Sequence, residues 1–321
     1  MKKNTIHDNL LEAIKNKVPQ GTNIAKLLMD ILLIGKEAVY RRLRGEVPFT
    51  MEESAMISKV LGISLDIVVN ENTPKSRSFQ LKLTDFVNPA EEDYGQMEEF
   101  LGVLNASRNH PYTEVGSAAN AFPQALFLRY KSLSKFYMFK WLYQWDGVGD
   151  VKSLDDIKIS QRQEDIQKRY LEESMCISHT YYVWDNLIFH YLVNEIKYFA
   201  NIRFITHEDV LAIKEDLHCF VNDLESLATK GRYETGNKIQ FYLSGINFES
   251  TYSYLHTEDI NLSHIKLFTL SAVVSLDIKT FEKVKNWVQS VKRLSTLISE
   301  SGEMQRVQFF KKQRTLINSL V

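Results

Sequence analysis

The residues best suited to recognition chemistry stand in one run of nine, KEAVYRRLR at 36–44. Arginine presents a rigid fork of donors that grips guanine O6 and N7 with two parallel hydrogen bonds, and neighbouring cations hold phosphates. In a helix over 36–44, Ala38, Val39 and Leu43 turn inward while Lys36, Glu37, Tyr40, Arg41 and Arg44 are left for solvent. Residues near the N-terminus of a helix laid in a major groove sit deepest, so Lys36, Glu37, Tyr40 and Arg41 are the candidate base contacts. Arg44 is a candidate phosphate contact, as are Thr22 and Asn23 at the start of the preceding helix. A plainer account of the same residues is a solvated face on a small helical bundle used for protein contacts.

Short helical patterns separated by turn signals position this run. Leu10, Leu11, Ile14 and Val18 share one face of a helix over 8–17, which Pro19-Gln20-Gly21 ends. Thr22 or Asn23 offers a capping oxygen to a second helix whose apolar stripe is Ile24, Leu27, Leu28, Ile31 and Leu32. Gly35 and Gly45 bracket the third helix. Thr50 with Glu53 reads as a capping box for a fourth, closed by Gly62, and a last turn begins at Ser64. Residues 1–50 hold nine Lys or Arg against five acids, an excess of four positive charges that favours a phosphate backbone.

Taken together, residues 23–69 resemble the phage-repressor helix-turn-helix family (Cro/cI-like, also called XRE). The resemblance rests on the third helix ending in Arg44-Gly45, on Pro48, on the capped fourth helix and on the closing LGISLD. The AVYRRLRGE segment is similar to helix-turn-helix regulators common in the Bacteroides group of bacteria. The likeness covers residues 8–69, less than a quarter of the chain. It implies a bundle that reads double-stranded DNA through helix 36–44, and transcription regulation as the task. Two positions depart from the pattern: Leu32-Leu33-Ile34-Gly35 lacks the family's usual turn glycine, and Arg42 stands where an aliphatic residue is often buried.

With 321 residues the chain has room for two or three domains, and 44% hydrophobic with 25% charged residues is ordinary for a globular protein. A formal net charge of −1 argues against a protein coated in positive charge for indiscriminate nucleic-acid binding. Cys176 and Cys219 stand far apart and form no CxxC, which argues against a disulfide scaffold or a structural zinc site and for reduced buried thiols. The N-terminus lacks an apolar signal region, and no run of about 18 apolar residues occurs. A cytoplasmic protein without a membrane span or cofactor is therefore expected.

Beyond a polar linker at 71–78, functional signals thin out. Residues 79–87 alternate and suit a strand or an extended link. Helices are expected over 91–106, 122–145, 161–175, 185–200 and 207–229, and in two segments after Ile278 with a break at Ser301-Gly302. The aromatics of 122–145 suit a packed core, or a pocket for a flat apolar ligand. Residues 238–257 and 264–276 read as three antiparallel strands. The fold class expected is mainly α with a smaller α+β part: a helix-turn-helix bundle over 1–70, then a larger helical domain over 79–321 holding a short antiparallel sheet. No HExxH, GxSxG, P-loop or Gly-rich dinucleotide turn occurs, so no enzyme is expected. His256 with Glu258 and Asp259 could hold a metal, though a solvated loop explains them more simply; the metal call is none. The basic C-terminal helices could contact DNA flanking the core site, though a solvated face whose apolar side is Val307, Phe309, Phe310, Leu316 and Ile317 explains them more simply. Because one short recognition helix reads only a few base pairs, a homodimer is the expected form. An unidentified small molecule bound by the second domain is a further candidate partner. The alternative for the whole is an interaction or antitoxin-like subunit that docks through its bundle.

Overall fold

The computed structural model describes residues 5–18, 22–63, 65–70, 86, 88–108, 110–145, 151 and 153–320. The linker expected at 71–78, the extended stretch at 79–85 and 87, and the Pro19-Gln20-Gly21 turn lie outside the described residues. The chain divides into two compact units, Met1–Phe79 and Gln80–Val321.

Among the described residues the first unit has five helices: α1 (Ile6–Lys17), α2 (Ile24–Leu32), α3 (Lys36–Leu43), α4 (Met51–Leu61) and α5 (Leu65–Asn70). Each start has a local chemical reason. Thr5 opens α1 with a capping box to Asp8, the Asn23 side chain accepts from the Lys26 N–H, and Thr50 and Glu53 form the expected box on α4. Gly62 closes α4 at φ 63°, a left-handed conformation that a residue without Cβ adopts at little strain. Leu10, Ile14, Leu28, Val39 and Ile57 are fully or almost fully buried and form one core. Burying each such side chain is worth about 1.5–3 kcal/mol, which is what holds helices this short together.

The second unit overturns the expected fold class. A short antiparallel sheet inside a mainly helical α+β domain was expected; the unit is a substantial α/β domain built on a seven-stranded mixed sheet. Its strands are β1 (Glu114–Ala119), β2 (His179–Asp185), β3 (Lys238–Ser244), β4 (Tyr252–His256), β5 (Asn261–Lys266), β6 (Ala272–Ser275) and β7 (Thr296–Leu297), in the order β6-β5-β4-β1-β2-β3-β7. β1, β2 and β3 run parallel, and the remaining neighbours pair antiparallel. Parallel neighbours need long crossovers, and the helices supply them. Between β1 and β2 come α7 (Gln124–Phe127), α8 (Lys131–Trp145) and α9 (Gln161–Ser174); α10 (Ile188–Asn201) and α11 (His207–Lys230) join β2 to β3. Before the sheet stands α6 (Glu91–Ser107), and α12 (Ile278–Arg293) and α13 (Glu303–Asn318) follow it.

Both sheet faces are covered. On one, Ala118, Tyr181, Val183 and Tyr254 pack against Phe281, Val288 and Val291 of α12. On the other, Tyr182, Trp184 and Phe241 join the large core of α8, α10, α11 and α13. The aromatics of α8 belong to that core: Phe136, Tyr137, Phe139 and Trp141 are buried, and Tyr137 stacks on Phe127 at 4.1 Å. The α8 N-terminus is capped from another helix, since the Ser132 and Leu133 N–H groups donate to Asp216 at 2.7 and 2.9 Å. On α13, Phe309, Phe310 and Ile317 are buried as expected, whereas Val307 is exposed.

Candidate nucleic-acid interface

α2 and α3 pack together, and the chain between them turns at Leu33, which takes φ 53° in place of the glycine usual at such a turn. α3 begins at Gly35 without a side-chain cap. Its Val39 is wholly buried, which fixes the rotation of the helix about its axis. That rotation leaves Lys36, Glu37, Arg41 and Arg44 exposed. Tyr40 is different: it is half-buried, packs against the core, and holds the Lys36 ammonium 5.9 Å from its ring centre. Thr22 and Asn23 are exposed, and the Asn23 side chain is already engaged in capping α2.

The charges of this face are internally paired. Arg44 donates to Glu46 at 2.6 Å and to Glu37 at 3.3 Å, and Arg41 lies 3.7 Å from Glu46. The hydrogen bond with Glu46 raises the Arg44 guanidinium above its ordinary range and lowers the Glu46 carboxylate below its own. Exposed pairs of this kind are screened by water and contribute little, so an incoming phosphate displaces such an acid at small cost. Glu37 is itself 81% exposed and points a negative charge from the first turn of the helix.

Arg42 is the residue whose role the sequence left unread. It is turned away from the basic face, and its side chain is only 14% exposed. Its fork donates to both oxygens of Glu53, at 2.9 and 2.6 Å, and to the Ala38 carbonyl at 3.1 Å. Glu53 is also the capping-box acid of α4, so one carboxylate ties the end of α3 to the start of α4. Burial alone would raise the Glu53 carboxyl; hydrogen bonds from Arg42 and Thr50 outweigh that and hold it below its ordinary value of 4.5. His7 adds a second tie, with Nε2 2.9 Å from the Arg42 carbonyl and Nδ1 accepting from the Phe49 N–H at 3.3 Å.

In the second unit the other residues singled out from the sequence are dispersed. His256 Nδ1 bonds the Asn261 side chain at 2.7 Å across the β4–β5 hairpin, while Asp259 lies 3.6 Å from His110. Among the described residues no three His, Cys, Asp or Glu gather as a metal would require, and Cys176 and Cys219 are unbridged. No helix among the described residues is long and apolar enough to cross a membrane. Comparison with protein-family models, with curated proteins and with solved structures found no match to this chain.

Proposed function

We propose that the first unit binds double-stranded DNA sequence-specifically, with α3 in the major groove, and that the chain is a transcription regulator whose second unit dimerises, senses a signal, or does both. One observation carries the reading. The buried Val39 anchors α3 so that Lys36, Glu37, Arg41 and Arg44 project from one short helix packed on α2. Lys36 and Glu37 start that helix and Arg41 lies one turn on, which suits them to base edges. Arg44, beyond the helix end, suits a phosphate, as do Thr22 and Asn23 at the start of α2. Tyr40 reaches a base only through the part of its ring that the core leaves uncovered.

A second reading has its own support. Glu37 and Glu46 put negative charge among the arginines, and a mixed-charge face also suits a protein partner, as in an antitoxin-like subunit. Selection from a random DNA pool with the full chain separates the two. A regulator enriches one motif, built of two half-sites about one helical turn apart if the chain dimerises. A pool that stays unenriched even at low salt sinks the DNA reading and leaves the docking one.

A further inference from the structure

The floor of a cavity of about 190 Å³ in the second unit is made by alternate residues of four neighbouring strands. Strand register sets them in three cross-strand rows. Thr180, Val115, Leu255 and Leu262 form the first row, Tyr182, Ser117, Ser253 and His264 the second. Thr251 and Lys266 stand in the third, joined by a 2.9 Å bond from the Lys266 N–H to the Thr251 carbonyl. With about 3.3 Å per residue, three rows span roughly 13 Å along the strands. The middle row is where space opens, because Ser117 and Ser253 are too small to fill it and bond each other at 2.9 Å. Over the first row close Phe100, Leu104 and Tyr170 of α6 and α9, so that end is apolar.

The other end carries a cation and has no acid in its described lining. Among the described residues lining the cavity there is one lysine, one histidine and no aspartate or glutamate. Lys266 and His264 both line the cavity, enclosed by protein on nearly all sides yet keeping some accessible surface. Glu195, the carboxylate whose charge reaches Lys266, is already bonded to Lys140. Burial first, then the Lys140 charge, pushes the Lys266 ammonium down to about 8, so it stays mostly charged at neutral pH. Burial, then the Lys266 charge, pushes His264 down to about 4, which leaves its ring neutral with one N–H to donate, for which its own backbone carbonyl competes with a ligand. At the opposite corner the Thr180 hydroxyl is buried with no hydrogen-bond partner among the described residues. A buried ammonium whose nearest acid is shared with another lysine, and a buried hydroxyl without a bond, are both costly in an empty protein.

We infer that this cavity binds an elongated organic acid, its carboxylate held by Lys266 and His264 and its apolar body laid over Val115, Leu255 and Leu262. A polar group at the far end of the ligand would reach Thr180. An engineered apolar cavity of about 150 Å³ takes a benzene, so the space suits a chain or ring of modest size. The inference stands apart from DNA binding, because every residue of the cavity belongs to the second unit.

Calorimetric titration of the full chain with octanoate, and in parallel with octylammonium, tests it. Octanoate is expected to bind and octylammonium, of the same length and opposite charge, to bind at least about tenfold more weakly. Equal binding of the two, or binding of neither at millimolar concentration, overturns the proposal. Lys266→Met removes the charge and keeps the stem. It is expected to weaken octanoate at least about tenfold while raising the melting temperature of the empty protein, and unchanged octanoate affinity also overturns the proposal. Should the variant misfold, the comparison of the two probes on the unaltered chain still decides.

Discussion

Among single residues, Arg42 and Arg44 show how neighbouring arginines take opposite tasks. Arg44 is exposed and shares its charge with two exposed acids, whereas Arg42 is fixed by both oxygens of Glu53 in a half-buried seam. Arg42→Ala leaves that carboxylate without its cation and is expected to destabilise the first unit by about 1–3 kcal/mol. Hydrogen exchange of the α3 and α4 amides in the full chain reads the effect, and exchange as slow as in the unaltered protein refutes the tie. The pH dependence has a definite sign. Because Glu53 titrates below its ordinary 4.5 in the folded chain, its contribution is complete above that value and is lost as pH falls through the lower folded one. Glu53→Gln is therefore expected to flatten the acid limb of the same exchange measurement. A repeated Arg-Arg pair is legible in sequence as charge. Which of the two is buried depends on an acid eleven positions away, and local spacing does not report that.

Strands and helices differ in how plainly the chain announces them. α1, α4, α6, α9 and α11 stand close to where periodicity put them, and α11 carries its own start and stop: Thr206 with Asp209 opens it, and Gly231 closes it at φ 62°. β1 and β2 gave no such notice. EVGSAA is poor in β-branched residues, and HTYYVWD lacks alternation because neighbouring strands and helices bury it on both faces. Gly116 explains why so weak a strand sits at the centre of the sheet. Tyr181 on β2 and Tyr254 on β4 lean over it from either side, and their hydroxyls meet at 2.8 Å. A Cβ at that position would lie 2.5 Å from the Tyr254 ring and 2.6 Å from that of Tyr181. Gly116→Ala is accordingly expected to destabilise the second unit by about 1–3 kcal/mol through overpacking. Urea unfolding followed by tryptophan fluorescence measures it, and a midpoint within error of the unaltered protein's would show that the rings yield without strain.

For the molecule as a whole, charge and topology carry different kinds of information. The order β6-β5-β4-β1-β2-β3-β7 pairs Glu114 of β1 with His179 of β2, and His179 with Lys238 of β3, so no local window could disclose the parallel core or the cavity floor. Lys266 and His264 were visible only as two residues of one alternating strand. Charge, by contrast, is additive and readable: 39 basic residues against 40 acidic ones leave the chain almost neutral, while residues 1–50 keep their excess of four positive charges. If α3 reads DNA, this local excess contributes to the salt dependence of binding. A plot of log affinity against log salt falls with a slope of about −0.9 per phosphate neutralised. Arg44→Ala is expected to weaken binding to every sequence alike and to make that slope shallower by about one. Glu46→Gln acts in reverse, since it frees Arg44 and Arg41 from a competing carboxylate: binding strengthens for all sequences and the slope steepens. Both are read by titrating labelled duplexes, one carrying the selected motif and one scrambled, from about 50 to 200 mM salt. Opposite shifts that are equal on both duplexes mark a phosphate contact. A change confined to the motif would move Arg44 among the base-reading residues, and no change in either variant would remove it from the interface.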